Sequence, residues 1–152
     1  MEMKDNFGSK GYTLIELMIV IAILGIMGGI LIPRGSSYQK YRLKVYAEQL
    51  CEDIRFVRHW NMNNEGNCHL ALSTQHYRIV KNTAIYKRVD LPLKYNIYFT
   101  QGKETLRFTS KGVPRMGGCS IRIADTKLKA SMEITVVPAS GRVLLKDEII
   151  QN

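Results

Sequence analysis

From residue 12 to residue 33 the chain is almost wholly apolar, and Glu16 is the one charge in those 22 positions. At 1.5 Å per residue a helix of that length spans about 33 Å, enough to cross a hydrocarbon core of about 30 Å. Downstream the pattern changes. Leu43, Tyr46, Leu50, Ile54 and Val57 recur at spacings of three and four, which places them on one helical face, while Lys44, Glu48, Glu52, Arg55 and Arg58 occupy the others. The Asn/Gly-rich stretch 61–67 favours a turn, so the helix is expected to end near Trp60. The pattern therefore predicts one helix from residue 12 to about 60, flexed near Gly25, Gly28-Gly29 and Pro33. Its first half is apolar all round and suits lipid or other helices; its second half is amphipathic and suits packing on its own domain.

Beyond residue 67 the period becomes two. Short strands are expected over 68–73, 77–81, 84–87, 95–99, 106–109, 120–123, 132–137 and 142–145. Turn signals separate several of them, at 101–104, 112–114, 117–118 and 138–141. The expected architecture is α+β: a long N-terminal helix, transmembrane then amphipathic, packed on a meander-like antiparallel β domain. The organisation is a leader 1–11, an apolar helix 12–33, an amphipathic helix 34–62 and a β domain 63–152.

A carboxylate inside an apolar span costs about 2.5–3.5 kcal/mol, so Glu16 needs a reason. Residues 1–11 form a polar leader with Glu2, Lys4, Asp5 and Lys10, ending in Ser9-Lys10-Gly11. In an ordinary secretory signal the apolar core precedes the small-residue cleavage site. Here the small residue comes first, so a cut after Gly11 leaves the apolar segment on the mature chain. This order, Lys10-Gly11 followed by Tyr12-Thr13-Leu14-Ile15-Glu16 and an apolar helix, resembles the type IV prepilin and pseudopilin family. The resemblance implies cleavage between Gly11 and Tyr12 by a prepilin peptidase, N-methylation of Tyr12, an assembly role for Glu16 and a helix kink at Pro33. The first mature residue of the family is usually Phe, and Tyr12 departs from that. In such a protein Glu16 neutralises the cationic N-terminus of a neighbouring chain, which makes subunit addition selective because the buried charge is tolerable only when paired.

The chain has 152 residues and a net charge of +9, suited to one modest domain plus an anchor. That charge is uneven: the leader is neutral, residues 12–67 carry +1 and residues 68–152 carry +8. Basic residues lie on both sides of the apolar run, so charge gives little help with orientation; a C-terminal domain outside the cytoplasm follows from the resemblance. Cys51, Cys68 and Cys119 show neither a CxxC nor a metal spacing with His59, His69 or His76. Two readings stand: a Cys68–Cys119 disulfide between strand-like segments, or three free, buried thiols. No nucleophile elbow, P-loop or paired-carboxylate site is present, which points to a non-enzyme without cofactor or metal.

Residues 108–112, 120–123 and 134–143 resemble, more narrowly, the C-terminal signature of GspH/FimT-type minor pseudopilins, in which a turn ending in Gly141-Arg142 leads into a last strand. Gly141 is expected to supply a positive φ at that turn. The resemblance implies a structural subunit that primes or caps a filament for secretion, competence or a type IV pilus. Its partners are then a prepilin peptidase, other major and minor pilins and an assembly platform in the cytoplasmic membrane. A second reading comes from the +8 of residues 68–152: capture of DNA through phosphate contacts at Arg122, Lys127 and Lys129.

Overall fold

The computed structural model describes residues 12–31, 35–64, 67–101, 105–146 and 150–151. Gly11 and the kink expected at Pro33 lie outside the described residues. The chain divides into two compact units, residues 1–34 and 35–152.

The first unit contains helix α1, Leu14–Leu31. The large apolar side chains described from Tyr12 to Met27 are all exposed, the least of them, Val20, by 49%. Apolar residues all round a helix leave it no preferred inward face, as the composition requires. Among the described residues, no helix is long and apolar enough to cross a membrane.

The second unit opens with α2, Gly35–Asn63. Leu43, Ala47, Leu50, Cys51, Ile54, Val57 and Asn61 form its buried stripe, with Tyr46 half-buried beside them. The helix runs past Trp60 because Asn61 is not a turn residue here. Its amide donates to Cys68 O at 2.6 Å and its side-chain oxygen accepts from Cys68 N at 2.9 Å, tying the end of α2 to the first strand. A buried amide with both its donor and its acceptor engaged is stable in the helix interior.

Among the described residues nine strands follow: β1 Cys68–Leu72, β2 His76–Lys81, β3 Ala84–Asp90, β4 Tyr95–Gln101, β5 Thr105–Arg107, β6 Cys119–Asp125, β7 Ala130–Val136, β8 Val143–Leu145 and β9 Ile150–Gln151. The eight expected strands are present. They do not form one meander, however, but two antiparallel sheets ordered β3-β2-β1-β5 and β4-β6-β7-β8, with β9 also paired to β7. The chain leaves the first sheet at β4 and returns to it at β5, whose Leu106 pairs with Leu70. Period-two patterning reports which face is buried and is silent about the neighbour, so this crossover was invisible to it. The helix α2 lies over β1 of one sheet and β6, β7 and β8 of the other. The core between them is filled by Leu70, Tyr77, Ile79, Tyr95, Ile97, Ile121, Ile123, Met132 and Ile134.

The cysteines are all free and buried. The Cys68–Cys119 pairing is therefore corrected. Cys68 opens β1 in the first sheet and Cys119 opens β6 in the second, and each side chain packs into the apolar core. Burial pushes all three thiols up, Cys119 to about 11, which keeps them protonated and unreactive.

Candidate functional site

The first turn of α1 is built by its own sequence. Thr13 precedes the helix, and its carbonyl accepts from Glu16 N at 3.1 Å and Leu17 N at 3.2 Å. Its hydroxyl oxygen also accepts from Glu16 N, at 3.3 Å. Thr13 is thus the N-cap and Glu16 the third helical residue, the Thr-x-x-Glu spacing of a capping box. That spacing is legible in the sequence itself, as Thr13-Leu14-Ile15-Glu16. The position also lets the helix dipole favour a negative charge at Glu16. Tyr12, 84% exposed, stands one residue before the cap. The arrangement therefore places an aromatic residue, a capped turn and a carboxylate at the head of an uncovered apolar helix.

In the second unit, two loops are gathered by Arg58 of α2. Its Nε donates to Gly112 O at 3.1 Å and its Nη2 to Ser140 O at 3.2 Å. Gly112 has φ +74° and Gly141 φ +63°, so the positive φ expected at Gly141 is present. A Cβ on Gly141 would overlap the Gly112 carbonyl oxygen that Arg58 holds. The segments 108–112 and 134–143 are thereby locked to each other and to α2. Arg55 adds a bond to Val143 O at 3.2 Å, fastening β8 to the same helix. Neither arginine could be assigned this part from sequence, since each looks like one more charge on a solvated helical face.

The basic residues prove to be unequal. Arg122 on β6 faces Glu133 on β7 directly across the strand pair and donates to it at 3.2 Å. Burial alone would raise the Glu133 carboxyl, but bonds from Arg122 and Ser120 and the nearby Lys146 hold it below its usual value. Lys127 and Lys129 instead sit exposed in the β6–β7 turn, Lys129 with φ +49°. Arg122 is therefore separate from the two lysines, and its charge is matched within the sheet. Lys87 is held by the buried Asp53 at 2.7 and 2.8 Å, where Tyr77 Oη also donates at 2.6 Å. Burial and that bond push the Tyr77 phenol up. Lys81 Nζ lies 3.5 Å from the Trp60 ring centre and 3.3 Å from that of Tyr86. Such a sandwich is worth about 0.5–2 kcal/mol and pins the β2–β3 hairpin to the end of α2. Arg88 is paired with Asp90 at 2.8 Å. Much of the positive charge legible in the sequence is thus structural.

A cleft of about 420 Å³ beside α2 is lined by Lys44, Glu48, Cys51, Glu52, Arg55 and Leu145. Its charges pair along the helix, Lys44 with Glu48 and Arg55 with Glu52. Its one thiol, Cys51, is pushed up by burial. Among the described residues, no group of three or more His, Cys, Asp or Glu is placed to hold a metal ion.

Comparison with known proteins agrees with both units. Residues 6–32 match the prokaryotic N-terminal methylation motif. The type IV major fimbrial protein FimA of Dichelobacter nodosus is 28% identical over 141 residues, covering 93% of this chain and 81% of that protein. A fimbrial protein of Pseudomonas aeruginosa is 44% identical over 49 residues, which is 32% of this chain and 30% of that one. In structure, the chain resembles the type IV minor pilin FimU of Pseudomonas aeruginosa, with a TM-score of 0.61 and 15% identity over 75% of this chain and 96% of that one. It also resembles the minor pseudopilin EpsH from the Type 2 Secretion System of Vibrio cholerae, with a TM-score of 0.57 and 13% identity over 68% and 95% of the two chains. An N-terminal methylation motif thus stands ahead of an α+β fold shared with these solved pilin and pseudopilin structures. The chain is similar to type IV fimbrial proteins in sequence and to a minor pilin and a minor pseudopilin in fold.

Proposed function

We propose that this chain is a minor pilin or pseudopilin of the GspH/FimT type, a non-enzymatic subunit that primes or caps a secretion, competence or type IV pilus filament. The observation that carries the reading is the capped head of α1, with Glu16 in its first turn and apolar side chains exposed on every side. Such a helix requires lipid before assembly and other helices after it. In this reading residues 12–33 anchor the chain in the cytoplasmic membrane, with the β domain outside the cytoplasm. A prepilin peptidase cuts between Gly11 and Tyr12, and the new Tyr12 amine is methylated. The assembly platform then draws the helix into the filament, where Glu16 of an incoming subunit meets the N-terminal amine of a neighbour. The two charges are costly apart and tolerable together, so docking in register is favoured.

Processing provides the direct test. Co-expression with a prepilin peptidase is expected to remove eleven residues and leave a methylated Tyr12, read by mass spectrometry of the intact chain and its N-terminal peptide. Gly11→Leu is expected to block the cut, since the site must accept a small side chain. An intact Met1 on the Gly11 chain under those conditions overturns the reading.

DNA capture by the basic β domain is the second reading, favoured by the exposure of Lys127 and Lys129 at one turn. Contacts to phosphate release counterions, so binding should weaken by about 0.9 log units per contact for each log unit of salt. We expect no mobility shift of duplex DNA by the full chain in detergent at low salt. A shift lost on Lys127→Glu/Lys129→Glu would establish the second reading instead.

A further inference from the structure

The outward face of the β3-β2-β1-β5 sheet carries two arginines that no described residue neutralises. On this face β1 presents His69 and Ala71, β2 presents Arg78 and Val80, and β5 presents Thr105 and Arg107; all the described positions are half-buried. Ala71 is paired with Arg78 on one side and Thr105 on the other, and His69 is paired with Arg107. From strand spacing, the Cα atoms of Arg78 and Arg107 stand about 12 Å apart, diagonally across the small side chain of Ala71. Asp90 on β3 is engaged by Arg88 and lies opposite His76. Arg78 and Arg107 form no ion pair or side-chain hydrogen bond with any described residue. Within the same face His69 Nδ1 and Arg78 Nε are buried and lack partners.

We propose that this face, centred on Ala71, docks an acidic patch of a different protein subunit, with Arg78 and Arg107 each receiving a carboxylate. The proposal rests on the filament reading for the kind of partner it names. Three observations select that partner. First, residues 68–152 carry +8, so a second copy of this chain would meet the face with like charge. Second, among the described residues the outward positions of β1, β2 and β5 hold no Phe, Tyr or Trp to serve as a stacking platform for bases, and two unpaired cations do not make a phosphate track. Third, two arginines around an Ala/Val floor have the composition of a protein interface, where planar guanidinium groups take carboxylates in bidentate pairs. Burial, and then the charge of Arg107, hold His69 below its ordinary value. It therefore stays neutral at pH 7 and can offer one N–H to the same acid.

The test uses the full chain in detergent micelles and three fluorescent probes: a Glu-Ala repeat peptide, its Gln-Ala counterpart and a short DNA duplex. The Glu peptide is expected to bind and the Gln peptide not. Arg78→Gln/Arg107→Gln should weaken the Glu peptide by about tenfold or more, while Lys127→Gln/Lys129→Gln should leave it within about twofold. Where the Gln pair fails to fold, Arg78→Lys/Arg107→Lys answers the same question, with a loss of several-fold expected because lysine cannot bond bidentately. Peptide affinity unchanged by the arginine substitutions overturns the proposal. So does a duplex whose affinity falls more than the peptide's, which would assign the face to nucleic acid. Peptide binding needs no filament, so its failure leaves the processing result standing, and a failure of processing leaves this result standing.

Discussion

Glu16→Ala is expected to leave leader removal and membrane insertion intact while incorporation into filaments falls by about a hundredfold. The substitution removes the one charge of the apolar run, which makes insertion easier. It leaves the Thr13 cap in place, because the bonds of that cap go to the backbone N–H of residue 16. What disappears is the counter-charge for a neighbouring amine, and an unpaired amine among packed helices costs about 3 kcal/mol or more. Glu16→Gln separates charge from shape: it keeps the size and the helix, and should fail nearly as badly as alanine. The measurement is the amount of each variant in the sheared filament fraction relative to the membrane fraction. Wild-type incorporation of either variant would show that Glu16 serves only to begin the helix.

Gly141→Ala is expected to produce the largest loss of stability of any single methyl added to the second unit. At φ +63° an L-residue is strained, and here the new Cβ would also overlap Gly112 O. That oxygen accepts from Arg58 Nε, so moving it breaks the clamp between α2 and both loops. Strain, overlap and a lost charge-assisted bond together amount to roughly 2–4 kcal/mol, on the order of 10 °C in melting temperature. Gly117→Ala is the control. Its φ is +80°, but nothing lies within 4 Å of its added Cβ, so only the backbone strain of about 1 kcal/mol applies. Equal melting temperatures for the two variants would mean that the Gly112 loop yields freely and that Arg58 clamps nothing.

The sequence by itself determined the features that depend on near neighbours along the chain. The apolar helix, the buried stripe of α2 from Leu43 to Val57 and the positions of eight strands follow from periods of 3.6 and 2. The positive φ at Gly141 follows from the turn that contains it. Only the tertiary structure decided what depends on residues far apart. The register of β6 against β7 brings Glu133 opposite Arg122 and removes that arginine from the exposed charge. Lys81 is enclosed by Trp60 and Tyr86, Lys87 is held by Asp53, and Arg58 reaches across to Gly112 and Ser140. The return of β5 to β1 splits an expected meander into two sheets, separates Cys68 from Cys119 and sets Arg107 beside His69. The physical reason is common to all of these. A local pattern states which side of an element is buried, whereas the partner a side chain meets is set by how whole elements pack, and that information is spread over the entire chain.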